Sequence, residues 1–130
     1  LNSAIDSDPQ IFHHNAVPYM DIPHHIGKCG IFVLPARSEA MGKVLIEAAA
    51  CSKPRIGTNV GGIPYILNHN TDGLIVEPDD VDSLANALRL LMSDISLRRK
   101  LGHNAKVRCD NEFNEDVYLK KYINFINNVI

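Results

Sequence analysis

A short apolar run from Ile31 to Leu34 is the feature that most constrains the fold of this chain. The run shows no alternation with polar residues and stops at Pro35, which is typical of a strand covered on both faces, as in the centre of a parallel sheet. A helix pattern over Lys43 to Cys51 and a second strand pattern over Arg55 to Thr58 follow it. Strand, helix and strand in this order predict a right-handed crossover between parallel strands.

Further elements are predicted on both sides of this unit. Upstream these are a strand over 11–14 and a helix over 22–28 that Asp21 can cap. Downstream they are a strand over 74–76 and helices at about 81–92, 96–109 and 115–130. The pattern predicts the α/β class, a Rossmann-like three-layer parallel sheet with flanking helices. Because only three or four strands can be counted and such sheets usually have about five or six, we expect residues 1–130 to form one partial domain, with residues 1–10 as a tail or loop remnant.

Composition limits the class of partner. At 130 residues the chain has room for one domain at most, and its formal net charge of −2 does not fit a nucleic-acid binder. The basic cluster Arg98-Arg99-Lys100 lies in a helical pattern, where it is a solvated helix face or, in the alternative reading, contacts an anionic membrane surface. No apolar run approaches the roughly 18 residues that span a bilayer. The start Leu1-Asn2-Ser3 shows neither an initiator Met nor a signal-peptide pattern, so we expect a chain cut out of a longer protein.

The cysteines and histidines give no sign of a metal or disulfide site. Cys29, Cys51 and Cys109 are odd in number and far apart, which favours a reducing, cytoplasmic setting. The histidine pairs at 13–14 and 24–25 consist of adjacent residues, whose side chains point in different directions on a strand or a helix. We therefore predict no metal site.

Ligands of open α/β sheets bind beyond the carboxyl ends of the strands, so the loops after Leu34 and Thr58 are the places to look for a site. The first of these loops leads directly into a helix, where the backbone amides of Met41, Gly42 and Lys43 lack helical partners. Free amides and the helix dipole favour an anion such as a diphosphate. Nearly every α/β protein has such a loop, so this feature alone does not establish a site.

Two glutamates and a glycine pair make these loops unusual. Glu47 lies in a helix pattern that is apolar on all sides, and a buried carboxylate there needs a partner, either a ribose diol or a buried Arg or backbone amides. Glu39 precedes the helix, where it either faces the helix dipole or contacts a reacting sugar and offsets positive charge on the ring. Gly61-Gly62 allows close approach to a ligand or permits a tight turn.

In this order the residues resemble the group 1 (family 4) retaining glycosyltransferases of the GT-B fold, which has two Rossmann-like domains. Those enzymes carry two glutamates with seven residues between them, the spacing of Glu39 and Glu47. They also have an apolar strand ending in Pro-Ser, a Gly-Lys-Pro turn and a Gly-Gly loop, to which Ile31–Ala36, Ser52–Pro54 and Gly61-Gly62 are similar. The resemblance extends from about position 11 to the end of the chain.

The resemblance implies transfer of a hexose from a nucleoside diphosphate sugar to an unknown acceptor, with retention of the anomeric configuration and no catalytic metal. Glu39 would contact the donor sugar near the reacting carbon and Glu47 the ribose. The amides of Met41 to Lys43 would hold the diphosphate, and Gly61 and Gly62 would border the donor. The resemblance makes the chain the C-terminal part of the donor domain. The cysteines favour a cytoplasmic location, and the basic cluster at 98–100 allows one at the membrane face.

Some residues depart from the family pattern, and other functions stay open. Arg55 stands where Val is commoner, and Tyr65 stands where the family usually has Glu, so we leave position 65 out of the site. The Arg/Lys pair that holds the phosphates in the family, and the acceptor-binding N-terminal domain, would precede Leu1, so the isolated chain is expected to be inactive. The alternatives are a non-catalytic nucleotide-sugar-binding or regulatory module and, ranked last, a phosphorylase-like use of the fold.

Overall fold

A computed structural model of the chain describes residues 8–129, except for the side chains of residues 118, 121, 122, 125, 126, 128 and 129. The elements in chain order are α1 (Ile22–Lys28), β1 (Phe32–Leu34), α2 (Lys43–Ala50), β2 (Arg55–Thr58), α3 (Ile63–Ile66), β3 (Leu74–Val76), α4 (Val81–Ser93), α5 (Ile95–Glu112) and α6 (Glu115–Val129), with a 3₁₀ turn over Tyr19–Asp21 before α1. None of the described helices is long and apolar enough to cross a membrane.

The strands form a parallel sheet in the order β1-β2-β3. Phe32 lies opposite Arg55 and Ile56 lies opposite Leu74, so β2 is central, and every residue of β2 is buried. Apolar side chains of α2 and α3 cover one face of the sheet, and those of α4 and α5 cover the other. This arrangement confirms the predicted α/β class and its three layers.

Strand β1 lies at the edge of the described sheet. Its side chains reach both cores, since Val33 packs with the cluster around Leu91, and Phe32 and Leu34 pack with the cluster around Leu45. All three residues are nevertheless half-buried, because within residues 8–129 one backbone edge of β1 has no neighbouring strand. The central, fully buried position that the apolar run predicted for this strand belongs to β2 instead.

Upstream of β1 the structure corrects two predictions. Residues 11–14 are exposed and form no strand, because no described strand lies beside them to pair their backbone groups. Helix α1 begins where predicted, but the Asp21 side chain makes no capping hydrogen bond. The 3₁₀ turn runs straight into α1, so Asp21 has helical backbone angles instead of the extended ones that a capping residue needs. Most of the tail predicted over 1–10 lies outside the described residues.

Candidate functional site

Two loops meet beyond the carboxyl ends of β1 and β2, where a ligand is expected in a parallel sheet. We call residues 35–42 the first loop and residues 59–62 the second loop. The Gly62 amide donates a hydrogen bond to the Glu39 carbonyl oxygen at 3.3 Å. A Cβ atom at Gly61 would collide with the same oxygen, and one at Gly62 would lie 2.5 Å from the Ala40 carbonyl oxygen. Gly61 also has a positive φ of 51°. The glycine pair therefore permits a turn and close contact with the first loop.

The Glu39 side chain folds back onto its own loop. Its Oε1 atom accepts hydrogen bonds from the Met41 amide at 3.3 Å and the Gly42 amide at 3.0 Å, and the residue is half-buried. The amides of Met41 and Gly42 are therefore not free, contrary to the prediction. The Lys43 amide, at the start of α2, has no hydrogen-bond partner among residues 8–129. A carboxylate in this position is stabilised by the positive end of the helix dipole.

Glu47 lies in the middle of α2 and lines an open cavity. With Met41, Lys43 and Ile46 it borders a volume of about 430 Å³, which we call the α2 cavity. The prediction that Glu47 is deeply buried is wrong. Helix α2 buries only the stripe of Leu45, Ala48 and Ala49, and Glu47 is half-buried without a hydrogen-bond partner among the described residues. Water can reach the carboxylate, so it does not require a protein partner, and its acceptor positions are available to a ligand.

The two glutamates border adjoining regions. Glu39 holds the backbone amide of Met41, and Met41 in turn lines the α2 cavity together with Glu47. Every residue predicted for the site therefore lies in one of the two loops or lines the adjoining α2 cavity: Glu39, Met41, Gly42, Lys43, Glu47, Gly61 and Gly62. The described part of the chain has no group of three or more His, Cys, Asp or Glu residues placed to hold a metal ion.

A second, larger cavity at the same edge of the sheet was not predicted. It has a volume of about 570 Å³ and is lined by residues at or beyond the carboxyl ends of all three strands, among them Pro35, Arg37, Thr58, Glu77 and Asp79. Arg37 and Asp79 form an exposed ion pair of 2.6 Å across its rim. Asp80 caps α4, and hydrogen bonds from the Ser83 hydroxyl and amide hold the pKa of its carboxyl below the usual value.

A buried charge network holds α3, the helix that directly follows the second loop, and the sequence patterns did not predict it. Asp72 accepts hydrogen bonds from Arg55 at 2.7 Å and from Arg108 at 2.9 Å, and the side chains of Asp72 and Arg55 are almost fully buried. Arg108 also donates to the carbonyl oxygens of Tyr65 and Ile66 at the end of α3, the helix that follows the glycine pair. Burial lowers the pKa of Arg55, and the charge of Asp72 opposes that shift.

Comparison with known proteins identifies the family. The profile of the family described as "Glycosyl transferases group 1" matches residues 5–108. The chain belongs to the group 1 glycosyltransferases. It is 37% identical over 112 residues to the capsular polysaccharide biosynthesis glycosyltransferase CapM of Staphylococcus aureus, covering 85% of this chain and 26% of that protein. It is 34% identical over 92 residues to the N-acetyl-alpha-D-glucosaminyl L-malate synthase of Bacillus anthracis, covering 71% of this chain and 24% of that protein. The chain thus spans about a quarter of the length of these group 1 relatives.

Solved structures of other glycosyltransferases share the fold. Sucrose-phosphate synthase of Thermosynechococcus elongatus aligns with a TM-score of 0.87 at 27% identity, over 96% of this chain and 32% of that one. The C-terminal domain of the group 1 protein LpcC from Francisella tularensis aligns with a TM-score of 0.71 at 28% identity, over 92% of this chain and 57% of that one. HepE of Anabaena, solved in complex with UDP, has the same fold, with a TM-score of 0.79 at 22% identity over 83% of this chain and 30% of that one. The parallel sheet and its helices match the Rossmann-like domains of GT-B glycosyltransferases.

Proposed function

We propose that this chain supplies part of the donor site of an enzyme that transfers a hexose from a nucleoside diphosphate sugar to an acceptor with retention at the anomeric carbon. The observation that carries the proposal is that Glu39 binds the Met41 amide at the carboxyl edge of the sheet, and that Met41 and Glu47 line the adjoining α2 cavity, in a group 1 glycosyltransferase. A half-buried carboxylate and a lysine line the open α2 cavity, which suits a ligand with hydroxyls and phosphates.

Glu47 is the proposed ribose contact. One carboxylate can accept hydrogen bonds from both hydroxyls of a ribose, as acidic residues do in dinucleotide sites. Lys43 borders the same cavity, and its backbone amide is a free donor at the start of α2. Together with the helix dipole, these groups stabilise the negative charge of the diphosphate, including the charge that develops as it leaves. The proposal needs no metal ion for this step.

Glu39 is proposed to exchange partners when the donor binds. Its Oε1 atom accepts hydrogen bonds from the amides of Met41 and Gly42, which are the donors that a diphosphate would use. A phosphate oxygen that takes over these amides releases the carboxylate toward the sugar. There the negative charge opposes the positive charge that develops on the ring of an oxocarbenium-like transition state. In this proposal, binding of the diphosphate and movement of the Glu39 carboxylate toward the sugar occur in the same step.

The remaining parts of the site are proposed to come from outside these residues. The chain covers 57% of the C-terminal domain of LpcC, which supports its assignment as part of a donor domain. The acceptor surface and further phosphate-binding cations then belong to the rest of a longer protein. Because HepE, a protein of the same fold, was solved with UDP, uridine diphosphate sugars are the first donors to test. The cysteines, which are free in the structure, suit a reducing cytoplasm.

The test is steady-state kinetics of the longer protein with variants of the two glutamates. Glu47→Gln should raise the KM for the donor by about ten- to a hundredfold, because a hydrogen bond to a charged group is lost. Glu39→Gln keeps an oxygen for the loop amides but removes the charge, so it should lower kcat by about a hundred- to a thousandfold. Glu115→Gln, an exposed glutamate on α6, is the matched control and should change neither constant.

Two results would contradict the proposal. Unchanged transfer by Glu39→Gln would remove its assigned role, and a product with inverted anomeric configuration, measured by proton NMR, would exclude retention. Binding of donors without any transfer to acceptors would instead support the non-catalytic module.

A further inference from the structure

A cavity at the opposite edge of the sheet has a strongly basic lining. It has a volume of about 400 Å³ and is bordered by Cys29, Ser52, Lys53, Pro54, Arg98 and Arg99. Pro54 immediately precedes β2, and Cys29 lies three residues before β1, so this basic cavity lies at the amino ends of the strands. The first and second loops lie at their carboxyl ends. The two regions are therefore separate, and a ligand in one does not obstruct the other.

The arginines of the basic cavity differ from the others in the described part of the chain. Neither Arg98 nor Arg99 has a hydrogen-bond or ion-pair partner for its side chain among residues 8–129. The other arginines all have one: Arg37 with Asp79, Arg55 and Arg108 with Asp72, and Arg89 with Asn86. Arg98 is also half-buried. Guanidinium groups with unused donors, gathered at one concave surface, favour an anionic ligand.

Lys53 adds a fixed positive charge. Its Nζ atom donates to the carbonyl oxygen of Gly27 at 2.6 Å, which anchors the ammonium beside the cavity and leaves two of its donors for other partners. No Asp or Glu lines the basic cavity. Asp94 is the acid nearest in sequence to Arg98; it caps α5 by accepting a hydrogen bond from the Leu97 amide, and it forms no ion pair with Arg98 or Arg99 among residues 8–129. The positive charge is therefore local, in a chain whose formal net charge is −2.

We propose that the basic cavity binds the phosphate group of a phosphate-bearing ligand. An arginine fork matches two oxygens of one phosphate, and lysine contributes a point charge, so Arg98, Arg99 and Lys53 form a suitable set. The volume admits a phosphate with an organic substituent, and the exposed side chain of Ile95 on the rim offers that substituent an apolar contact. A soluble phosphomonoester and the headgroup of an anionic lipid share this chemistry.

The thiol of Cys29 provides a built-in reporter, because it lines the basic cavity. The experiment measures the rate of alkylation of Cys29 by a neutral maleimide, with peptide mapping, in glycerol 3-phosphate and in sodium chloride of equal ionic strength. Bound phosphate should slow the reaction in a saturable manner. Arg98→Gln and Arg99→Gln should each weaken the apparent affinity by about tenfold, the effect of losing one charge-assisted contact. Each variant is compared with itself without ligand, and circular dichroism verifies its fold.

The matched control is Arg89→Gln, which removes the same charge from α4 outside the basic cavity and should leave the affinity unchanged. Flotation with phosphatidylcholine vesicles, with and without phosphatidic acid, forms a second arm. Saturable protection by glycerol 3-phosphate supports a soluble ligand. Binding only to the phosphatidic acid vesicles, lost in Arg98→Gln, supports a lipid headgroup. No binding in either arm, or an equal loss in Arg89→Gln, would overturn the proposal.

Discussion

Replacing Asp72 with asparagine should severely destabilise the fold, because two arginines depend on this one carboxylate. The substitution keeps the size of the side chain and removes its charge. Arg55 is the critical partner, since its side chain is 1% exposed and that of Asp72 is 2% exposed. Arg108 is 16% exposed and keeps its bonds to two backbone carbonyl oxygens, so water and these oxygens can stabilise it after the change.

The expected cost follows from the burial of Arg55. Breaking a buried ion pair by removing one partner costs about 3–5 kcal/mol, because the remaining charge is left without compensation. Domains of this kind have total stabilities of about 5–15 kcal/mol, so Asp72→Asn should remove a large share. Arg55→Met alone should cost less, because Asp72 keeps Arg108 as its partner. Adding Arg55→Met to Asp72→Asn should recover part of the loss, because the orphaned charge is removed.

Urea denaturation of the four proteins in this double-mutant cycle measures these changes in the free energy of unfolding. Asp79→Asn is the control, since it breaks an ion pair whose side chains are 84% and 65% exposed and should cost less than about 1 kcal/mol. The reasoning fails if Asp72→Asn costs no more than Asp79→Asn, or if the double variant is as unstable as the sum of the single ones.

Two further predictions concern the loops at the carboxyl edge. Gly61→Ala should lower the free energy of unfolding by about 2–5 kcal/mol, because the alanine would need a positive φ and its Cβ atom would collide with the Glu39 carbonyl oxygen. The control is Gly27→Ala, whose Cβ atom would lie in open space within α1; it should be neutral or slightly stabilising in the same urea denaturation assay. The Asp80 cap of α4 should contribute stability above the usual carboxyl pKa and lose it as pH falls through its lowered folded pKa. The chemical shift of the Ser83 amide, measured by NMR over this pH range, should follow the loss. Asp80→Asn should show no such transition, and an unchanged titration curve in that variant would contradict the assignment of the transition to Asp80.

Sequence patterns predicted those elements whose signals are local. The apolar run of β1 and the start of α2 at Lys43 are read from neighbouring residues, and the structure confirms both elements. The family comparison confirms the group 1 resemblance, whereas the roles given to the two glutamates stay predictions. The strand predicted over 11–14 is absent because strand formation depends on a distant partner. The burial of Glu47 was overestimated for a similar reason, since the number of covered faces of α2 depends on which elements pack against it.

The buried charge network shows what local sequence patterns cannot predict, and it also shows a sequence signal that could have been used. Asp72 is 17 residues from Arg55 and 36 from Arg108, so no local pattern joins them. However, Arg55 begins a strand predicted within a parallel sheet, and an arginine buried there needs an acid. The sequence thus indicated that a partner existed without indicating which one. The occupation of the Met41 and Gly42 amides by Glu39 was likewise hidden, because it depends on a side-chain rotamer.

The glycine pair that lets the second loop rest on the backbone of the first also joins the two loops mechanically. Gly62 is bonded to the backbone of Glu39, so the first loop cannot lift away without breaking that bond or moving the second loop with it. Arg108 extends this linkage through α3 to α5. In hydrogen exchange, the amides of Gly42 and Gly62 should therefore become exposed together, as one opening unit rather than as two independent loops.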